Sequence, residues 1–127
     1  MQLKRAIEEI IAEGKDAILE IDVQGALSVM SSTPDAITIF ILPPSFETLR
    51  ARLIARATEG ANDLEIRLRN SRAEVMHYLH FKYVVINDEL IAAARRLASI
   101  VIAERQRADR QKDKIQGILD TFENSKI

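Results

Sequence analysis

The sequence of 127 residues contains no cysteine and no tryptophan, and it is poor in proline and glycine. Without cysteine there are no disulfides, thiolate nucleophiles or thiolate metal ligands, and nothing points to an oxidising compartment. No apolar run approaches the roughly 18 residues that a membrane-spanning helix needs. The segment 1–13 is charged and amphipathic, unlike a secretory leader. We therefore expect a cytoplasmic protein without a membrane partner.

The chain also lacks an excess of charge of either sign. Eighteen Lys and Arg face nineteen Asp and Glu, which leaves a formal net charge of −1 at pH 7. No long-range field would draw such a protein to a polyanion, so we expect no nucleic-acid partner and only a local anion site. The composition, 47% hydrophobic, predicts one globular domain over residues 1–127.

Helical and β-prone segments alternate along the chain. Apolar spacing predicts helices over 1–13, 26–30, 46–57 and 64–79, and a long carboxyl-terminal helix over about 88–114. Short β-prone runs predict strands over 17–21, 36–42 and 83–86. Strands that alternate with helices of this length are typical of an α/β fold. We expect three layers, with a parallel sheet of about three strands flanked by helices.

Polar residues follow the predicted strands at the edge where open α/β sheets bind ligands. Glu20 and Asp22 alternate with isoleucines and could organise a metal-bound water or a cationic partner. Alternatively, Asp22 is a helix N-cap and Glu20 a surface carboxylate. Asn87 either reads a base edge with its amide or, with Asp88, caps the following helix.

Arg52, Arg56 and Arg67 form a more specific pattern. Arg52 and Arg56 lie four residues apart on one face of a predicted helix, and Arg67 follows the break at Gly60. A helix, a flexible loop and a second helix can close three guanidiniums around one polyanion, as a phosphate lid over about 52–68 requires. The alternative is a set of solvated arginines paired with the acidic residues of the same segment.

Several common site motifs are missing from the sequence. It contains no GxxxxGK[ST], GxGxxG or GxSxG run. His77 and His80 lie three residues apart with no third metal ligand nearby. We therefore predict that no side chain binds a metal ion directly.

Five segments resemble, in order, the carboxyl-terminal part of a bacterial guanylate kinase, and together they extend over almost the whole chain. They are ILEIDVQGA (18–26), IFILPPSFETLRARLIAR (39–56), RL (67–68), YVVINDEL (83–90) and AERQRADRQK (103–112). The combination of IFILPPS, the arginines and IND is uncommon and therefore specific. The resemblance implies a P-loop nucleoside monophosphate kinase fold. It also implies transfer of the γ-phosphoryl group of ATP to GMP with Mg²⁺, none of them tightly bound.

The resemblance implies roles for the lid arginines. Arg56 and Arg67 match the catalytic arginines that clamp the transferred phosphoryl group. Arg52 and Arg56 match residues on the ATP side of the site. Ala57 replaces the Gly or Asn that usually follows the lid arginine, which implies a slightly stiffer lid.

The resemblance also implies roles for the strand ends. Asn87 and Asp88 match the end of a strand beside the adenine of ATP. Asp22 matches the acidic residue near the phosphate site and Mg²⁺, and Glu20 stands where the family often has Asp.

The matching segments begin after the family's phosphate loop and GMP-binding domain. We therefore expect this chain alone to be inactive or nearly so. In the family's sheet the first strand lies between the strands that match 17–21 and 36–42, so we also expect either repacking that brings these two strands together or self-association through exposed strand edges. The alternative functions are a non-catalytic module that binds a phosphopeptide or another anion, and one half of a split kinase to which a complementing amino-terminal half supplies the missing parts.

Overall fold

The structure, a computed structural model, describes residues 2–56 and 60–126 and divides into two compact units. The first unit ends at Thr38 and contains α1 (Gln2–Ala12) and α2 (Val23–Ser32). The second begins at Ile39 and contains β1 (Ile39–Leu42), α3 (Phe46–Arg56), α4 (Ala61–Glu74), a 3₁₀ helix (Val75–His80), β2 (Tyr83–Ile86), α5 (Leu90–Arg105), a 3₁₀ turn (Ala108–Arg110) and α6 (Lys112–Glu123). A single domain over 1–127 stays a prediction.

The core of the second unit forms around two parallel strands, which confirms the predicted α/β class. β1 and β2 pair in register from Ile39 opposite Tyr83 to Leu42 opposite Ile86. Phe40 and Val85, from opposite strands, are buried together with Ala93 of α5. The ring of Phe40 meets the ring of Phe81 edge-on, with centroids 5.0 Å apart. The strand expected over 83–86 is confirmed, whereas the one expected over 36–42 begins only at Ile39.

The strand predicted over 17–21 is wrong. The sheet of the described residues has two strands rather than about three, and 17–21 is irregular chain between α1 and α2. Ile18 in this segment is 83% exposed. A β-prone segment becomes a strand only when a neighbour satisfies its backbone groups, and no described strand pairs with this one. Repacking that would pair 17–21 with 36–42 as neighbouring strands is not observed in the described residues, and self-association through strand edges stays a prediction.

Two helix ends follow their sequence signals. Gly14, just past α1, has φ +80, the left-handed conformation that glycine adopts at low cost. Ser45 precedes α3, and its hydroxyl accepts a hydrogen bond from the Thr48 backbone N–H at 3.0 Å. In the described part of the chain, no helix is both long and apolar enough to cross a membrane.

The single helix expected over 88–114 is divided into α5 and α6. The Gln111 side-chain amide donates to the Gln106 carbonyl at 2.7 Å, which satisfies a backbone group just past the end of α5. The run 104–114 is almost wholly polar. It therefore offers no apolar stripe whose burial would stabilise a continuous helix.

Tyr83, at the start of β2, is tied to the end of α5 by a short hydrogen bond. Its hydroxyl donates to Oε1 of Glu104 at 2.6 Å, and Nη1 of Arg107 lies 3.4 Å from Oε2. This bond, with the charge of Arg107, lowers the pKa of Glu104. The same bond, followed by burial, raises the pKa of Tyr83. The pair is therefore held as a neutral phenol and a charged carboxylate.

These pKa shifts predict that the Tyr83–Glu104 pair stabilises the fold less at acid pH and at alkaline pH than near neutral pH. Because folding lowers the pKa of Glu104, the contribution of this carboxylate to the free energy of unfolding declines as pH falls from about 4.5 down through the lower folded pKa. Because folding raises the pKa of Tyr83, its contribution is complete below about 10.0 and declines as pH rises through the higher folded pKa. We expect Tyr83→Phe to lower the melting temperature by about 4 °C near neutral pH and to weaken both declines. Thermal unfolding followed by circular dichroism across the pH range measures this, and parallel curves for the two proteins would contradict it.

Candidate functional site

The carboxyl end of β2 brings together three of the residues predicted to bind ATP. Nη1 of Arg52, on α3, donates to the Asn87 carbonyl at 2.8 Å, and Nη2 donates to the Asp88 carbonyl at 3.2 Å. The planar guanidinium has donors spaced for two neighbouring acceptors. The half-buried Arg52 therefore fixes α3 against the strand end, one turn before Arg56.

Asn87 continues the sheet and does not cap α5. Its backbone N–H donates to the Leu42 carbonyl at 2.7 Å, which extends the β1–β2 pairing by one residue. The N-cap of α5 is Glu89, whose carboxylate accepts from the N–H groups of Ile91 and Ala92 at 3.2 and 2.8 Å. The expected cap at Asn87 and Asp88 is therefore wrong. The half-buried side-chain amide of Asn87 makes no hydrogen bond to the described residues, which leaves it available to a ligand.

Asp88 is held by Arg96 of α5, a residue that was not predicted from the sequence. Oδ1 of Asp88 accepts from Nη1 of Arg96 at 2.8 Å and from the Glu89 N–H at 2.7 Å. These two bonds lower the pKa of Asp88, and the carboxylate in turn raises the pKa of Arg96. An arginine two turns into the helix after the strand is the only sequence signal for this contact. We call Ile86, Asn87, Asp88, Arg52 and Arg96 the strand-end cluster.

The catalytic arginines expected in a lid lie on two helices that contact each other, Arg56 at the end of α3 and Arg67 within α4. The guanidinium of Arg72, near the end of α4, stacks 5.2 Å from the ring centroid of Phe46, the first residue of α3. Arg56 and Arg67 are both exposed.

The alternative expectation pairs solvated arginines with acids of the same segment, and one such pair is present. Oε1 of Glu65 lies 3.1 Å from Nη2 of Arg69, and both side chains are exposed. Glu59 and Ala57 lie outside the described residues. The catalytic role of Arg56 and Arg67 stays a prediction.

The two acids expected near the phosphate site belong to the first unit. Asp22 is the N-cap of α2, and its Oδ1 accepts from the Gly25 N–H at 2.7 Å. A Cβ at Gly25 would lie 3.1 Å from that oxygen, so glycine allows the tight approach. Glu20 is exposed in the irregular segment before it. The capping alternative for Asp22 is thus observed, and the phosphate-site role of both acids stays a prediction.

The described residues contain no preformed group of three metal-binding side chains. Mg²⁺ takes oxygen ligands, in proteins mainly carboxylates together with water and substrate phosphates. In residues 2–56 and 60–126 no three His, Asp or Glu side chains cluster, and Asp22 uses one carboxylate oxygen to cap its helix.

The chain is similar to guanylate kinases in sequence and in structure. The family model described as guanylate kinase matches residues 2–104. The guanylate kinase of Thermotoga maritima is 42% identical over 114 residues, which are 90% of this chain and 55% of the relative. That of Saccharophagus degradans is 39% identical over 119 residues, which are 94% of this chain and 58% of the relative.

A solved structure supports the same assignment. The crystal structure of guanylate kinase from Anaplasma phagocytophilum matches with a TM-score of 0.68 and 30% identity, over 82% of this chain and 49% of that chain. These matches confirm the resemblance and the expected P-loop nucleoside monophosphate kinase fold class. The chain spans about half the length of the curated relatives it matches.

Proposed function

Because the chain belongs to the guanylate kinase family, we propose that it serves the transfer of the γ-phosphoryl group of ATP to GMP. In this proposal the chain contributes the adenine side of the ATP site and the lid. The strand-end cluster carries the proposal, because there Arg52 joins the helix of Arg56 to Asn87 and Asp88. One bonded unit thus links the residues proposed for the base with a residue proposed for the phosphates.

The chemistry proposed for the lid is electrostatic. Phosphoryl transfer depends on positioning and on neutralising charge at the transferred group more than on covalent catalysis. Arg56 and Arg67 would close on the phosphates and stabilise the charge that develops on the oxygens in the transition state. Arg52 donates to two backbone carbonyls, so we propose that it acts by positioning the strand end rather than by holding phosphate.

The base side of the site rests on Asn87. A side-chain amide offers one acceptor and two donors, which suits the edge of adenine. The backbone of Asn87 is fixed at both its N–H and its carbonyl, so the amide is presented from a rigid position. Asp88 keeps its charge at neutral pH because its bond to Arg96 lowers its pKa.

Measuring ADP production tests the proposal. The chain is given ATP, Mg²⁺ and GMP, alone and mixed with the amino-terminal part of the Thermotoga maritima guanylate kinase that it does not match. We expect little or no turnover from the chain alone, because its sequence holds no phosphate loop. We expect turnover from the mixture. A mixture that associates and binds both nucleotides without turnover would contradict the kinase function.

The exposed lid arginines also favour a second candidate, a non-catalytic module that binds a phosphopeptide. Arg56 and Arg67 on one pair of helices could hold a phosphate without any phosphate loop. Affinity for a phosphopeptide that falls with added salt and is lost in Arg56→Ala would favour this module. Turnover in the complemented mixture would favour the kinase instead.

A further inference from the structure

The guanidinium of Arg96 bridges the two neighbours of Asn87. Its Nη1 donates to the Ile86 carbonyl at 2.9 Å and to Oδ1 of Asp88 at 2.8 Å, and its Nη2 lies 3.5 Å from Oδ2. The residue before Asn87 is therefore held through its backbone, and the residue after it through its side chain. One arginine from α5 fixes both.

Arg52 completes this arrangement from α3. It takes the carbonyls of Asn87 and Asp88, so all three consecutive carbonyls of 86–88 accept from a guanidinium. The Asn87 N–H is bonded to Leu42 of the neighbouring strand. The backbone of Asn87 is thus bonded on each side, while its amide has no hydrogen-bond partner in the described part of the chain.

We propose that Arg96 is a positioning residue for adenine recognition, which holds the Asn87 amide in the orientation that reads the base. The inference rests on the proposed function and assigns Arg96 no contact with the nucleotide. If Arg96 has this role, the chain binds ATP more tightly than a triphosphate without the base, and most of that difference depends on the bridge from Ile86 to Asp88. A recognition group is effective only when the groups around it fix its geometry.

A purely structural role for Arg96 predicts a different result. The side chains of Arg96 and Asp88 are 47% and 46% exposed, and exposed ion pairs contribute little to stability. We therefore expect the loss of Arg96 to change base recognition far more than melting temperature. Arg95 provides the matched control, because it is exposed, carries the same charge and makes no side-chain hydrogen bond within the described residues.

The experiment measures affinity for ATP and for tripolyphosphate by NMR titration of the 127-residue chain, with the Asn87 side-chain amide signal as the local probe. We expect Arg96→Leu to weaken ATP binding about tenfold and to leave tripolyphosphate binding unchanged. Arg95→Leu should leave the preference for ATP intact. Arg96→Lys should keep most of the preference for ATP over tripolyphosphate, because a single nitrogen, Nη1, makes both short bonds of Arg96.

The outcomes separate this inference from the proposed function. If Arg96→Leu keeps the wild-type preference for ATP over tripolyphosphate, the positioning role is overturned and the kinase function stands. If the wild-type chain shows no such preference, adenine recognition by this chain is wrong and the positioning role falls with it. If Arg96→Leu does not fold, the same two affinities are measured for Arg96→Gln, which removes the charge but keeps a polar amide. An unchanged preference for ATP in that variant overturns the positioning role, and a lost preference supports it.

Discussion

Replacing Arg56 and Arg67 together by alanine is expected to lower kcat of the complemented mixture about a thousandfold, because arginines at the transferred phosphoryl group typically contribute 10³–10⁵ in rate. Their charge is needed most in the transition state, so kcat should fall much more than KM rises. Both residues are exposed on the α3–α4 pair, so their removal should leave the fold intact. Steady-state kinetics with ATP and GMP measure the effect.

The matched control replaces Arg50 and Arg69 together by alanine. These residues lie on the same two helices, and their replacement removes the same charge. Arg69 pairs with Glu65 at the surface, and Arg50 is exposed beside a shallow hollow of about 340 Å³ that Phe46 and Ile54 also line. We expect this double variant to retain most of the activity. An equal loss in both double variants would mean that net charge, and not the placement of Arg56 and Arg67, supports turnover.

Replacing Arg52 by leucine is expected to lower the free energy of unfolding by about 2 kcal/mol, since two hydrogen bonds from a charged group are lost. The melting temperature should fall by about 7 °C for a chain of this size. The reason is that α3 loses its bonds to Asn87 and Asp88, and both carbonyls lose a donor. Chemical denaturation and calorimetry give the two quantities.

Arg50→Leu is the control for this change, because Arg50 lies two residues earlier on α3 and is exposed. It removes the same charge without touching the strand end. Arg52→Lys should recover part of the lost stability, because its single ammonium group can donate to one of the two carbonyls but does not match the spacing of both. Equal melting temperatures for Arg52→Leu and Arg50→Leu would show that the bonds from α3 to the strand end do not stabilise the fold.

Local sequence signals predicted the elements whose stability is local. The apolar run around Phe40 and the run 83–86 formed the paired strands, and Gly14 ends α1 while Ser45 begins α3, as glycine and serine commonly do at helix ends. The segment 17–21 has the same β propensity, but a strand depends on a partner that is distant in sequence. The carboxyl-terminal helix divides within the polar run 104–114, where a hydrogen bond from the Gln111 amide satisfies the Gln106 carbonyl, and helical propensity alone did not indicate the break.

The resemblance proposes which residues form the candidate site, but it does not reveal which atoms these residues use to contact one another. Resemblance assigned Arg52, Asn87 and Asp88 to one site, and the structure joins them by hydrogen bonds. The acceptors of Arg52 are backbone carbonyls, which carry no sequence signal because every residue has one. Arg96 was missed for the same reason, since its partners include the carbonyl of Ile86.

The pairing of β1 with β2 also orders events during folding. Ile39 and Tyr83 are about 44 residues apart, so bringing the strands together costs about 3 kcal/mol of loop-closure entropy before any contact offsets it. The intervening helices α3 and α4, of 11 and 14 residues, form within microseconds but are marginally stable until tertiary contacts hold them. Their amide protons should therefore gain strong protection from exchange only when the two strands pair. The lid would then exist as nascent structure before the strand end that anchors it.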